Sequence, residues 1–175
     1  MRFIKRLLAF AIAVVTTCCF TTAVNAKPVH VDYLKPSENK PYPNVQQYPQ
    51  MWVHVDIKRQ RVYLMSHQNK KLYTMYCSTG KHNATPTGTY HIEDIRGEHF
   101  YSSAEKCGGN YYVAWKGNDY LFHSTPVDAH NHYIKKEASY LGRKPASHGC
   151  VRLTVPDAKW FYQNIPTGTT VVITK

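Results

Sequence analysis

Acidic residues are scarce in this chain: 11 Asp and Glu stand against 22 Lys and Arg in 175 residues, a formal charge of +11. That shortage makes polyanions the natural long-range partners. No recognisable nucleic-acid-binding motif accompanies the charge, so nucleic acid is not the expected polyanion. The tight, paired Cys and His spacings of zinc sites are missing too. His130 and His132 with His123, His148 and Cys150 do not form one, and neither a metal nor a cofactor is expected. There is no internal repeat, which excludes a solenoid or propeller. Helical periodicity is confined to two short stretches.

The longest apolar run lies at the start. Met1-Arg2-Phe3-Ile4-Lys5-Arg6 is basic, Leu7 to Val15 is apolar, and Val24-Asn25-Ala26 supplies small residues. This is the layout of a secretory signal peptide over residues 1–26, with cleavage expected after Ala26. The short apolar core and its threonines argue against an uncleaved anchor. Thr16-Thr17 ahead of Cys18 do not make a lipoprotein site. A secreted, extracytoplasmic protein of the cell envelope is therefore expected. Three basic and no acidic residues lie in the leader, so the remainder keeps an excess of eight positive charges. Outside the membrane the matching polyanions are wall polymers, lipid headgroups or acidic peptides.

Residues 27–50 carry Pro28, Pro36, Pro41, Pro43 and Pro49 with no period of 2 or 3.6, which reads as an extended, semi-rigid connector. From Met51 to Lys175 the texture is that of one domain. Trp52 to Ile57 and Arg61 to Met65 are rich in β-branched and aromatic residues and flank Lys58-Arg59-Gln60, a hairpin signature. Further strands are expected at Leu72 to Cys77, Thr89 to Glu93, Tyr111 to Trp115, Tyr120 to Phe122 and Thr169 to Ile173. Two helices are expected, one near Lys135 to Leu141 and one from Pro156 to about Asn164, with proline in its first turn. The fold class is mainly β, a sandwich or small barrel with two short helices.

The chemistry concentrates in Ser147-His148-Gly149-Cys150-Val151-Arg152. A working cysteine needs a base or cation nearby, because the thiolate is the nucleophile. Gly149 leaves room for an incoming carbonyl, so the Gly149 and Cys150 N–H groups are candidate oxyanion donors. Upstream, Leu121-Phe122-His123-Ser124 puts a histidine at a strand end, poised to take the cysteine proton and return it to a leaving amine.

Four pieces in this order, Ser78-Thr79-Gly80-Lys81, Thr85-Pro86-Thr87-Gly88, Phe122-His123-Ser124 and Ser147-His148-Gly149-Cys150-Val151-Arg152, resemble the L,D-transpeptidase catalytic domain of the YkuD type. The likeness spans roughly residues 51–174. It implies a mainly β fold and penicillin-insensitive, cysteine-dependent remodelling of peptidoglycan stem peptides. By this resemblance Cys150 is the nucleophile and His123 the base, with the Ser124 carbonyl orienting its ring. His148 and Gly149 shape the nucleophile loop, and Arg152 and Ser147 contact substrate. Tyr112 and Trp115, with Tyr101 and Tyr111, are candidates to line the cleft beside a mobile flap at Glu98 to Asn110. One departure from the family is the long gap between His123 and the cysteine, filled by Asp128 to Leu141. His132 within it is the alternative base.

Cys77 and Cys107 either pair as a disulfide or stay free, with Cys77 a small buried hydrophobe. The expected partners are peptidoglycan stem peptides as donor and acceptor, and anionic wall polymers. Three other readings stay open: an L,D-carboxypeptidase using the same residues with water as acceptor, a papain-like wall peptidase, and a non-catalytic peptidoglycan-binding module. In papain-like enzymes the cysteine usually precedes its histidine, the opposite of the order here.

Overall fold

The computed structural model describes residues 30–175. The leader expected at residues 1–26 lies outside them. Nine strands and two α-helices follow one another as β1 (Trp52–Asp56), β2 (Arg61–Met65), β3 (Lys71–Ser78), β4 (Gly88–His91), β5 (Arg96–Ser102), β6 (Cys107–Lys116), β7 (Tyr120–Ser124), α1 (Lys135–Ala138), β8 (Val151–Leu153), α2 (Val155–Asn164) and β9 (Thr170–Thr174).

Hydrogen bonding joins all nine strands in the order β4-β9-β1-β2-β3-β8-β7-β6-β5. Most pairs are antiparallel, but β1 runs parallel to β9 and β7 parallel to β8. The sheet curls until β4 returns against β6, where Tyr90 packs edge-on to Trp115 at 4.9 Å. Strict alternation drives this. Val53 and Val55 on β1, Val62 and Leu64 on β2, and Val171 and Ile173 on β9 all point into one apolar interior while their neighbours point outward. Helix α2 plugs the curl against β6, β7 and β8, with Phe161 on Phe122 at 4.5 Å.

The start of α2 follows from its sequence. Thr154 caps it by accepting the Asp157 N–H at 3.3 Å, and Pro156 occupies the first turn. Asp157 is fully buried, and burial raises the pKa of its carboxyl although Ser37 and Tyr42 hydrogen-bond to it.

Those two partners belong to the segment expected to be an extended, semi-rigid connector. The described part of it, residues 30–50, is a strap docked on the domain. The Ser37 and Tyr42 hydroxyls donate to Asp157, Tyr42 stacks on Trp160 at 5.1 Å and packs on Tyr73 at 4.7 Å, and the Val155 N–H donates to the Tyr33 carbonyl. Anchoring by a few separate side chains leaves no period in the sequence. The expected flap at Glu98 to Asn110 is likewise ordered, as the β5–β6 hairpin, and only its tip at residues 103–106 lies outside the strands.

Candidate active site

A buried polar relay positions the nucleophile loop. It starts at the β1–β2 turn, where Gln60 has φ 54° and an almost fully buried amide. That amide donates to Thr79 Oγ1 at 2.8 Å and accepts the Thr79 N–H at 2.9 Å. The Thr79 carbonyl accepts the N–H groups of Ala146 and Ser147, and the Ser147 carbonyl accepts the Lys81 N–H. Thr85 adds a second tie: its hydroxyl accepts the Gly80 N–H at 2.8 Å and donates to the Gly149 carbonyl at 2.7 Å. The Ser-Thr-Gly-Lys and Thr-Pro-Thr-Gly motifs are thus the bed on which the cysteine loop lies.

Within the loop, the Ser147 hydroxyl donates to the Cys150 carbonyl at 2.6 Å and accepts the Gly149 N–H at 3.0 Å. Ser147 therefore staples the turn. Because its N–H is spent in this way, Gly149 is not the free oxyanion donor expected from sequence. Gly149 has φ 152°, and a Cβ there would lie 2.9 Å from the Tyr120 ring, so both backbone angle and space call for glycine.

Cys150 and His123 line one cleft of about 450 Å³ with Phe100, Asp119, Tyr120 and Arg152. His123, on β7 and 4% exposed, is held between the β6 backbone and an aromatic ring. A Cβ on Gly109 would come within 2.3 Å of its Nδ1, and Phe100 meets the imidazole edge-on at 5.2 Å. The Cys-Gly-Gly run is thus the wall that admits the imidazole. Burial, and then the Arg152 charge, push the His123 pKa down to about 3 against a hydrogen bond with the Ser124 backbone. Its Nδ1 is buried with no partner.

Burial raises the Cys150 pKa, while the Leu121 N–H and the Arg152 charge favour the thiolate. The resting thiol donates to the Asp119 carbonyl at 3.4 Å. Burial thus favours the uncharged form of each member of the pair.

Arg152 is 5% exposed and forms an ion pair at 2.5 Å with Glu137 on α1. The inserted stretch Asp128 to Leu141 thereby supplies the counter-charge for the cation beside the cysteine. Arg152 Nε is buried without a partner. His148 is half exposed at the cleft mouth, its Nδ1 2.8 Å from Glu105 on the hairpin tip. His132 sits on an exposed turn capped by Asp128, away from the cleft-lining residues.

Two candidate substrate-contact residues fall elsewhere. Trp115 is 1% exposed and packs against Tyr90, Tyr120 and Phe122 in the core, because its side of β6 faces the interior of the curl. Tyr112 lies over Gly97 and against Phe100 at 5.4 Å, one layer behind the cleft wall. Cys77 and Cys107 are both free thiols. Cys77 is fully buried in the core and Cys107 is in the cleft wall. Gln60, Glu105, Asp119 and Glu137 were not singled out by sequence. Glu137 lay in the stretch that lengthens the His-to-Cys gap, Glu105 in the expected flap and Gln60 in the hairpin turn, but none had a signal of its own.

The family model of the L,D-transpeptidase catalytic domain (YkuD) matches residues 50–173. The chain belongs to this family. It is 46% identical over 148 residues to YciB of Bacillus subtilis (strain 168), named provisionally as an L,D-transpeptidase, an alignment covering 82% of this chain and 74% of that protein. Among solved structures, an L,D-transpeptidase from Mycobacterium smegmatis superposes with TM-score 0.59 at 18% identity, over 72% of this chain and 59% of that one. LdtMt1 in complex with imipenem gives 0.59 at 17%, over 71% and 59%. A fused Zn-dependent amidase/peptidase/peptidoglycan-binding protein from Clostridium acetobutylicum ATCC 824 gives 0.55 at 31%, over 71% of this chain and 52% of that one. The chain spans little more than half the length of these three structures, and the first two likenesses, below 25% identity, speak for the fold alone.

Proposed function

We propose that this L,D-transpeptidase family member breaks and remakes peptide bonds of peptidoglycan stem peptides through a thioester on Cys150. The observation that carries the reading is one cleft lined by both the Cys150 thiol and His123, an imidazole whose Nδ1 is buried without a partner. With the Ser124 backbone bonded to the ring, Nδ1 is the nitrogen left to act as acceptor.

In this mechanism the thiol proton leaves the Asp119 carbonyl and passes to His123 Nδ1 as the sulfur attacks the carbonyl carbon of the third stem residue. A carbon–sulfur bond forms and an oxyanion develops, for which the Cys150 N–H is the candidate donor, since the Gly149 N–H is engaged by Ser147. The carbon–nitrogen bond then breaks, and the leaving D-Ala amine takes the proton from His123. An acceptor amine from a second stem attacks the thioester and gives its proton to the imidazole; the carbon–sulfur bond breaks, and the imidazolium returns the proton to the departing sulfur, restoring the thiol. The Arg152 charge lies close enough to favour thiolate over thiol and to oppose a lasting imidazolium. A pair that ionises only on substrate attack follows from these opposed environments.

The basic leader, and the excess of positive charge after it, support export and work at the wall. Water in place of the amine would make the same site an L,D-carboxypeptidase.

Intact-protein mass spectrometry of the mature domain with a disaccharide-tetrapeptide tests the reading. An adduct equal to substrate minus D-Ala, absent in Cys150→Ala, is the expected result. Dimeric or tripeptide products then report transfer or hydrolysis. No adduct and no released D-Ala with any tetrapeptide stem would sink it.

A further inference from the structure

The cleft leaves unused the opposite surface of the sheet. Strands β1, β2, β3 and β9 bury one face completely, and their outward residues form a layer of aromatic rings, hydroxyls and cations. Register places Trp52 across from Met65, His54 across from Tyr63, and Arg61 across from Tyr76. The rings touch in series: Trp52 to His54 at 5.9 Å and His54 to Tyr63 at 5.7 Å. Cations ride on the rings, with Lys71 Nζ 5.2 Å from the Tyr63 centroid and the Arg61 guanidinium 4.2 Å from that of Tyr76. Between them stand the hydroxyls of Thr74, Thr170 and Thr174, the last bonded to His54 Nε2 at 2.9 Å.

At the Trp52 end the layer runs into a groove of about 630 Å³ between Pro49–Trp52 and Pro166–Thr170, with His67 on its rim. Charge on this face is one-sided. The only acid in the four strands, Asp56, is itself almost buried and ion-paired to Arg59 at 2.7 Å. Burial disfavours its charge, but the Arg59 hydrogen bonds prevail and hold its pKa below the ordinary range. Lys58 and Lys70 at the strand ends add further positive charge.

Arg61 is held in place, donating to the Arg59, Gln60 and Gly142 carbonyls, so the Trp52, His54 and Tyr63 rings and the Lys71 ammonium are the groups left to meet a ligand. Aromatic rings suit the C–H faces of sugars, hydroxyls suit their hydroxyls, and exposed lysines suit anionic groups repeated along a chain. A purely apolar protein partner would not call for the cations or threonines, and a small anion would not call for a track of rings leading into a groove.

We propose that this outward face, from the Trp52 groove across His54 and Tyr63 to Lys71, docks an anionic wall glycopolymer, a sugar chain joined or decorated by phosphodiesters. The polymer holds the domain on the wall while the cleft takes stem peptides from elsewhere. This rests on the wall-side location proposed above but not on the chemistry of Cys150.

Co-sedimentation with Gram-positive sacculi tests it, using the mature domain carrying Cys150→Ala so that no covalent adduct contributes. Sacculi that retain their phosphodiester-linked polymers should bind about tenfold more tightly than sacculi stripped by hydrofluoric acid. The added changes Tyr63→Ala and Lys71→Glu should together weaken binding to intact sacculi by about tenfold, the combined loss of a ring and a cation. In the Cys150-containing domain the same two changes leave D-Ala release from a soluble tetrapeptide at the wild-type rate, which shows that the variant folds. Trp52→Ala is a second, independent probe from the groove end. Equal binding to stripped and intact sacculi overturns the proposal, since peptidoglycan itself would then be the ligand. Unchanged binding by the Tyr63/Lys71 variant overturns it as well. If the domain binds and discriminates as expected but releases no D-Ala, the catalytic reading fails and the docking face stands.

Discussion

Two segments meet at the cleft mouth and are held in opposite ways. The nucleophile loop, Ser147 to Cys150, is tied internally by the Ser147 hydroxyl, from below by Thr79 and from the side by Thr85. The β5–β6 tip, residues 103–106, is exposed and reaches that loop through one side-chain contact, Glu105 with His148. The difference separates two tasks. Attack on a carbonyl needs a nucleophile fixed to a fraction of an ångström, whereas entry of a peptide needs a wall that yields.

The sharpest way to break the comparison is to remove the chemistry from the rigid side. Cys150→Ala abolishes D-Ala release outright, and His123→Ala lowers it by about 10²- to 10⁴-fold, the range for loss of a general base. His132→Ala stays within about twofold of wild type, because its ring sits on an exposed turn. If His132→Ala were the inactive variant instead, the fixed imidazole would be a structural element and the base would belong to the inserted stretch Asp128 to Leu141.

The same imidazole gives the rigid side a pH signature. Its pKa is about 3 in the fold and 6.5 when free. Between those values the unfolded chain binds a proton that the folded chain does not, so acid favours unfolding. His123 costs no stability above about pH 6.5, and its opposition to folding grows as pH falls towards 3. Denaturant titrations of wild type and His123→Gln should therefore diverge in slope only inside that window, the variant losing less stability on acidification. Parallel curves would mean that the imidazole is hydrated.

Next in size is Glu137→Gln, which strips the charged partner from a nearly buried Arg152. A loss of about 2–3 kcal/mol is expected, below the full cost of orphaning a buried charge because Glu137 is partly exposed. Adding Arg152→Gln to it should cost less than the two changes summed, which a double-mutant cycle by chemical denaturation measures. Strict additivity would show that the inserted stretch does not support the end of the loop.

Thr85→Val tests the side tie. The change keeps the shape and removes a hydroxyl that serves both the Gly80 N–H and the Gly149 carbonyl. We expect about 1–3 kcal/mol of lost stability, from two backbone groups left without partners, and a fall in kcat with little change in KM. An unchanged kcat at reduced stability would mean that the loop holds its geometry without Thr85.

The sequence carried the rigid side better than the yielding one. Alternation exposed β1, β2, β3 and β9 because each buries one face only, and Pro156 with Ala158, Phe161 and Ile165 exposed α2. Strand β8 was hidden because all three of its residues, Val151, Arg152 and Leu153, are buried and show no alternation. Cys150 and His123 could be proposed from sequence since nucleophile and base demand particular residue types, and the fold brings both to one cleft. The supports could not be proposed in this way. Gln60 looks like any turn residue until its amide meets Thr79, and Tyr42 looks like part of a linker until it meets Asp157. Trp115 misled because a strand aromatic reads the same whether it faces a cleft or a core. Contacts between residues far apart in the chain leave no local pattern, and most of what orients this site is of that kind.

The smallest effect probes the yielding side. Both His148 and Glu105 are about half exposed, so their pair, ionic only when the imidazole is protonated, contributes at most about 1 kcal/mol. Glu105→Gln should leave thermal stability nearly unchanged and kcat unaltered. If the tip must lift for a stem peptide to enter, the variant lowers KM by about two- to threefold at low salt, because the closed form competes with substrate less well. The gain should vanish near 1 M salt, where wild type loses the same attraction by screening. A KM shift that persists at high salt would make Glu105 a direct substrate contact. No shift at any salt would make the tip as fixed as the loop, and the contrast between the two walls of the cleft would not be functional.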